Sequence, residues 1–253
     1  MAIIISIANQ KGGVGKTTTA IELASCFSSR DYKTLAIDFD QQSNLTKYTG
    51  LKPGIKGIYE VLKGEVKDIH KVIVKAEEFD VIAASQKLSK ADKEFGDALE
   101  ILKLKKVLKA LDDDYDFIII DSNPSRNVLL NMAYVATDYI IIPAEAEEGS
   151  MDGIKSIYND LKDYKSQDWS SAEVLGVILT RVERTGMHAY AAEEIKEFLQ
   201  KEDPEAFFMT VRKSIAASEA KSERVSMQSG KTYSNPAMDY RKIADLIIAR
   251  LDS

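Results

Sequence analysis

Apolar residues fall along this chain in two rhythms. Short runs that are apolar almost throughout, Ile3–Ala8, Thr34–Asp38, Val81–Ala84, Phe117–Asp121, Tyr139–Pro143 and Val174–Thr180, are bounded by polar turns. Such unbroken apolarity fits parallel strands covered on both faces better than strands with one wet face. Between them lie longer stretches with helical spacing: Thr17 to about Phe27, Asp97–Leu111, Met151–Tyr164, Tyr190–Gln200 and Met238–Leu251. The alternation predicts an α/β fold, a doubly wound and mostly parallel sheet flanked by helices, with its ligand at the carboxyl ends of the strands. No linker, repeat or low-complexity stretch divides the pattern, so residues 1–253 read as a single domain.

The first strand runs directly into Lys11-Gly12-Gly13-Val14-Gly15-Lys16-Thr17-Thr18. A strand, a glycine loop and then Lys-Thr opening a helix is the order that a phosphate cradle needs. Gly12, Gly13 and Gly15 let the backbone bring N–H groups against phosphate oxygens without a Cβ in the way. Lys16 can reach the β- and γ-phosphates, the Thr17 hydroxyl can ligate Mg²⁺, and the helix N-terminus is aimed at the same anion. The loop from Gly12 to Thr18, Val14 included, is therefore the candidate triphosphate site. The pattern G-x-x-x-x-G-K-[ST] would put glycine where Gln10 stands, and a second lysine, Lys11, opens the loop instead.

Composition agrees with a globular enzyme. At 253 residues the chain can bury roughly three quarters of its unfolded surface. No apolar stretch approaches the roughly 20 residues that span a bilayer, and Asn9, Gln10 and Lys11 cut the N-terminal run short of a signal peptide. The single cysteine, Cys26, has no partner for an internal disulfide, which suits a reducing compartment, and it reads as a core residue. His70 and His188 lack ligand spacing and read as surface residues. Trp169, in a polar loop, reads as packing at an edge.

Two further strands end in carboxylates. Leu35-Ala36-Ile37-Asp38-Phe39-Asp40-Gln41-Gln42 carries two aspartates two residues apart, which share a face while the strand lasts. Tyr115-Asp116-Phe117-Ile118-Ile119-Ile120-Asp121 reads as a Walker B strand, whose acid holds a Mg²⁺-bound water opposite Thr17.

With its K-G-G-x-G-K-[ST] loop, its D-x-D-x-Q segment at Asp38–Gln42 and its terminal strand acid Asp121, the chain resembles the ParA/MinD family of deviant P-loop ATPases. Ile58–Gly64, Tyr139–Pro143, Ser218-Glu219-Ala220 and the stretch from Ser234 to Ile247 extend the resemblance to ParA-type partition proteins over nearly the whole chain. It implies ATP and Mg²⁺ as cofactors. It also implies Lys11, Lys16 and Asp40 as catalytic residues, with Lys11 crossing to phosphates bound by a partner subunit and Asp40 orienting the attacking water. Thr17, Asp38 and Asp121 form the implied metal set, Asp38 supporting either the ion or the loop. The strand end at Val177–Val182 would lie by the adenine, and no N-K-x-D guanine reader is present. Family segments with D-x-P-P find Asp121-Ser122-Asn123-Pro124 here.

The resemblance further implies a homodimer in the ATP state, non-specific DNA binding, a ParB-like centromere-binding partner, and a cytoplasmic, nucleoid-associated protein without stable membrane association. The chain begins at its first strand, so the N-terminal helix-turn-helix domain of longer partition ATPases is not expected. The balance of 34 Lys+Arg against 40 Asp+Glu opposes a polyanion on average. Locally, Thr210–Lys242 holds seven basic residues against three acidic ones. Arg184, Lys213, Lys221, Arg224 and Lys231 are the candidate DNA contacts. A MinD-like, membrane-cycling ATPase is the alternative; the amphipathic segment Tyr240–Leu251 has the spacing of a helix packed on the sheet.

Overall fold

The computed structural model describes residues 1–52, 54–96 and 98–251. In chain order the elements are β1 (Ile3–Ile7), α1 (Lys16–Ser28), β2 (Thr34–Phe39), α2 (Asn44–Tyr48), α3 (Ile58–Leu62), β3 (Ile73–Lys75), β4 (Asp80–Ile82), α4 (Ala91–Glu94), α5 (Lys103–Leu108), β5 (Phe117–Ser122), α6 (Val128–Ala136), β6 (Tyr139–Ala144), α7 (Ser150–Ser166), β7 (Glu173–Val182), α8 (Gly186–Glu202), β8 (Phe207–Arg212), α9 (Ala216–Glu223), α10 (Met227–Gly230) and α11 (Asn235–Leu251).

The strands form one sheet in the order β3-β4-β2-β5-β1-β6-β7-β8. Neighbouring strands run parallel, except that β3 pairs antiparallel with β4 at one edge. The apolar runs explain the layers. On β5, Ile118 and Ile120 face the cluster that holds Ile58, Leu104, Leu108 and Met132 from α3, α5 and α6. Ile119 and Phe117 face the opposite cluster, with Leu23 and Phe27 of α1 and Tyr240, Ile243 and Ile247 of α11. Phe27 stacks on Phe117 with centroids 4.3 Å apart. A third cluster packs β6 and β7 against α7 and α8. Alternate side chains of a parallel strand thus leave the sheet on opposite faces, and both find a helix.

The six expected strands are present, with β3 and the edge strand β8 in addition. The expected helix Asp97–Leu111 is a chain of short pieces instead: Asp97 lies outside the described residues, and 3₁₀ turns at Ala98–Leu102 and Lys109–Leu111 flank α5. Ile101, Leu104, Leu108 and Leu111 are all buried, and their 3–4 spacing suits either helix type. The remaining helices begin earlier than the apolar spacing suggests. Thr185 caps α8 by accepting from the His188 N–H, and Pro236 sits in the first turn of α11, where a missing N–H costs nothing.

Cys26 is buried, and Trp169 stacks on Tyr164 at the edge of the α7 layer. His70 is exposed and bridges Asp68 and Asp114 at 2.8 Å each, which raises its pKa through both hydrogen bonds.

Gly57, before α3, marks a close approach that only glycine permits. A Cβ there would lie 1.9 Å from the Ala83 carbonyl oxygen, which accepts a 3.0 Å hydrogen bond from the Ile58 N–H. Gly57→Ala is expected to cost about 3 kcal/mol, since backbone rather than a flexible side chain must yield. Chemical denaturation of the two proteins measures this.

Candidate functional site

Because β1 lies between β5 and β6, its carboxyl end is where the sheet order departs in both directions, and the glycine loop leaves the sheet there. Gly13 and Gly15 take left-handed backbone angles, φ 83° and 91°, which a β-carbon would strain. Gly15 is the N-cap of α1, with no side-chain cap and no acidic residue in the first turn. The first N–H groups of the helix therefore face the loop and can serve an anion. Asn9 pins the start of the loop: its amide donates to the Pro143 carbonyl at 2.7 Å, and its Oδ1 accepts from the Lys11 N–H at 2.9 Å. The Thr180 hydroxyl at the end of β7 lies 3.0 Å from the Val14 carbonyl oxygen and 3.1 Å from that of Ala144, tying the buried Val14 to the sheet.

Lys16 lies inside this loop, only 7% exposed, with its Nζ donating to the Lys11 carbonyl at 2.8 Å. Burial lowers its pKa to about 8, against the pull of the Asp121 and Asp40 carboxylates. Thr17, the next residue, is half-buried at the same helix end.

The carboxylates arrive on neighbouring strands. Asp38 and Asp121 are register partners of β2 and β5. Burial pushes both carboxyls up, each raised further by a neighbouring aspartate, while the Thr17 hydroxyl and Lys16 pull Asp121 back only in part. Their hydrogen bonding differs completely. Asp38 accepts from the Thr46 N–H at 2.8 Å, the Thr46 hydroxyl at 2.6 Å and the Asp40 N–H at 3.2 Å. It anchors the loop that carries Asp40, one of the two roles expected of it. Asp121, 1% exposed, has no well-formed hydrogen bond to either carboxylate oxygen among the described residues, the Thr17 hydroxyl acting on it only weakly. A buried carboxyl left so among like charges takes up either a proton or a cation.

That is the observation against which Mg²⁺ can be tested, and the residues fit it. The Thr17 hydroxyl and the Asp121 carboxylate are hard oxygen donors. Among the described residues no three His, Cys, Asp or Glu groups converge on one metal position. Mg²⁺ asks for few protein ligands, completing its octahedron with waters and phosphate oxygens.

Asp40 is 7% exposed just beyond β2, with Oδ1 accepting from the Gln42 N–H at 3.0 Å. Asn123 folds back to accept from the Ser125 N–H, and its buried amide nitrogen has no partner among the described residues.

The Lys11 side chain, unlike that of the buried Lys16, is partly exposed. In the single chain its Nζ donates to the Glu148 carbonyl at 2.8 Å and pairs with Glu147 at 3.2 Å.

Beside the loop opens a cavity of about 800 Å³, lined among others by Gly15, Thr18, Thr180, Arg181, Lys221 and Tyr240. It has the size of a nucleotide and meets the strand end at Val177–Val182.

The candidate DNA contacts do not form one patch of free charge. Lys213 pairs with Glu183 at 3.0 Å, and Lys231 with Glu223 at 2.9 Å and Glu219 at 3.4 Å. Arg212 makes a two-pronged pair with Asp239, through its Nε at 2.9 Å and its Nη2 at 2.7 Å. Lys221 turns into the cavity. Arg184 and Arg224 are exposed. Reading the sequence missed Asn9, Thr46 and Thr180 as supports of the site, and Glu147 and Glu148 as partners of Lys11. The polarity of Asn9 and Thr180 at the ends of apolar strands was the available signal.

A family model described as an AAA domain matches residues 2–174. The sporulation initiation inhibitor protein Soj of Bacillus subtilis strain 168 is 33% identical over 206 residues, which cover 79% of this chain and 81% of Soj. The chromosome partitioning protein ParA of Myxococcus xanthus is 33% identical over 226 residues, covering 87% of this chain and 78% of that protein. Among solved structures, a plasmid partition protein of Borrelia burgdorferi B31 bound to AMPPNP superposes with a TM-score of 0.83 at 28% identity, covering 99% of this chain and all of that one.

Proposed function

The chain belongs to the ParA/Soj family of partition ATPases, and on that premise we propose that it is a Mg²⁺-dependent ATP hydrolase of DNA segregation. Its ATP-bound form is a homodimer that binds DNA without sequence preference. A ParB-like centromere-binding protein resets it by stimulating hydrolysis. Residues 1–253 act as one ATPase domain, working in the cytoplasm on the nucleoid.

The observation that carries this reading is the division of labour between two lysines of one loop. Lys16 is buried beside Asp40 and Asp121, where it can neutralise phosphate charge in its own subunit. Lys11 is partly exposed and held by groups at 2.8 and 3.2 Å that a partner's phosphates can outbid. A site completed by a lysine from the second subunit makes dimerisation depend on nucleotide.

Within one subunit the steps follow from the geometry. The loop N–H groups and the N-terminus of α1 bind the phosphates, and Lys16 neutralises charge that builds on the transferred group. Asp40, fixed through Gln42, orients the attacking water. Thr17 and Asp121 would hold Mg²⁺, which when bound would supply positive charge against the phosphates.

For DNA, the free charge that supports the reading is Arg184 and Arg224 on each subunit, doubled by dimerisation. The MinD-like alternative asks for a free apolar helix face at the membrane. Here α11 spends its face on the sheet, with Tyr240, Ile243, Ala244 and Ile247 all buried. Among the described residues no helix is long and apolar enough to cross a membrane.

The test is hydrodynamic mass in ATP and Mg²⁺. In an Asp40→Ala background the protein is expected to elute with the mass of two chains and to retain duplex DNA. Adding Lys11→Ala is expected to return it to one chain with nucleotide still bound. A lone-chain mass for the Asp40→Ala protein at saturating ATP overturns the proposal.

A further inference from the structure

The strongest unassigned cation in this molecule lies inside the cavity rather than on its surface. Lys221 is half-buried in the last turn of α9, and Ala217, Ser218 and Lys221 line the cavity from one helix face. Its Nζ lies 5.1 Å from the centre of the Tyr48 ring, at the end of the short helix that follows the Asp40 loop. Of the other basic groups lining the cavity, Arg181 pairs with Glu145, Arg212 with Asp239 and Lys213 with Glu183, while Arg184 is exposed to solvent. Lys221 has no carboxylate partner among the described residues, and Gly15 and Thr18 of the phosphate loop share its cavity.

We propose that Lys221 is a nucleotide-binding residue, its ammonium donating to a phosphate oxygen of the nucleotide in this cavity, and that it is thereby unavailable as a DNA contact. The inference rests on the nucleotide reading of the cavity. An ammonium offers three donors and a full charge but no acceptor, so among the parts of a nucleotide it selects the phosphates over base or ribose. The surroundings favour an anion beside the charged form. Burial, with the Arg181 guanidinium beside it, draws the Lys221 ammonium below the usual lysine range, and Asp121 offsets this only in part. A phosphate relieves both penalties. The Tyr48 ring fixes the side chain over a π face while it waits. The outer side of α9 argues against DNA as the ligand, because Glu219 and Glu223 there are occupied with Lys231.

The experiment is calorimetric titration of the full chain with ADP and Mg²⁺, comparing wild type, Lys221→Met, Lys221→Arg and Lys16→Ala. Lys221→Met is expected to bind ADP about tenfold more weakly, the worth of one charge-assisted hydrogen bond. Lys221→Arg is expected to recover most of that loss, and retention of duplex DNA by the methionine variant at saturating ATP is expected to equal that of wild type. A second readout does not depend on how the methionine variant folds. Lysines carrying ¹³C-dimethyl groups are followed by NMR, and ADP is expected to shift the Lys221 resonance and raise its titration midpoint.

Unchanged ADP affinity in Lys221→Met, or a Lys221 resonance indifferent to ADP, overturns the inference. Weakened DNA retention with unchanged ADP affinity does so too and returns the lysine to the DNA surface. If Lys16→Ala loses ADP while Lys221→Met keeps it, this inference alone fails. If folded wild type does not bind ADP, the nucleotide reading fails and this one with it.

Discussion

Replacing Lys16 with alanine is expected to weaken ATP and ADP binding by about 100-fold or more, because it removes the one ammonium that the fold has already carried into the phosphate loop. Wild type holds Lys16 Nζ on the Lys11 carbonyl at 2.8 Å, so little side-chain entropy remains to be lost when phosphate arrives. The substitution leaves α1 with its N–H groups facing an anion that lacks its counter-charge. A pH signature separates this from simple misfolding. Burial places the pKa of the free lysine at about 8, and a bound phosphate favours the charged form. Below that pH the lysine is already charged. Above it, binding must take up a proton, so wild-type affinity is expected to fall as pH rises through about 8, and the residual binding of the alanine variant is expected to lack that step. Calorimetry across pH 6.5–9.5 in buffers of different ionisation enthalpy measures both the affinity and the proton uptake. Wild-type affinity that is flat across the range removes the buried ammonium from phosphate binding.

Asp40→Ala is expected to leave nucleotide affinity near wild type and to lower single-turnover hydrolysis by about 100- to 10,000-fold, the range typical of a lost proton-handling or water-orienting group. Asp40 has one oxygen fixed by the Gln42 N–H at 3.0 Å, and its Oδ2 has no hydrogen-bond partner among the described residues. One anchored oxygen and one open oxygen is the arrangement for orienting a water. Asp38, two residues earlier, has the opposite character, with both oxygens engaged by Thr46 and the Asp40 N–H. Asp38→Asn therefore serves as a contrast: it is expected to lower stability by disturbing the loop, visible as a reduced melting temperature, which Asp40→Ala does not share. A hydrolysis rate unchanged in Asp40→Ala assigns the water to another group, and the buried, unpartnered amide nitrogen of Asn123 is the next place to look.

The two aspartates show why local spacing reached only part of this site. Two residues apart, they share a face only while the strand lasts. The chain leaves β2 at Phe39, so Asp38 ends inside the sheet beside Asp121 and Asp40 begins the loop. The helix expected over Asp97–Leu111 failed for a related reason: a 3–4 spacing of buried residues is satisfied by 3₁₀ turns as well as by α-helix, and contacts with α3 and α6 choose between them. The strand β8 escaped notice because it lies at the sheet edge, where only Phe207 and Val211 are buried and the apolar signal is thin.

A charge count over residues 210–242 finds an excess of basic groups but not how they pair: Lys213 meets Glu183, 30 positions away and outside the counted stretch, and Arg212 meets Asp239 at the far end of it, 27 positions away. Lys221, counted with the surface, is half-buried and lines the cavity beside the glycine loop.

By itself the sequence determined the doubly wound core, the phosphate loop and the identity of its lysines and aspartates. Backbone angles at glycine, strand burial and the order Gly-Lys-Thr are local properties that a few neighbouring residues settle. Tertiary structure alone decided which carboxylate is left without a partner, where Lys11 rests and which cations remain free. Those are matters of pairing energy between groups distant in the chain, and they acquire values only when the sheet brings its strand ends together.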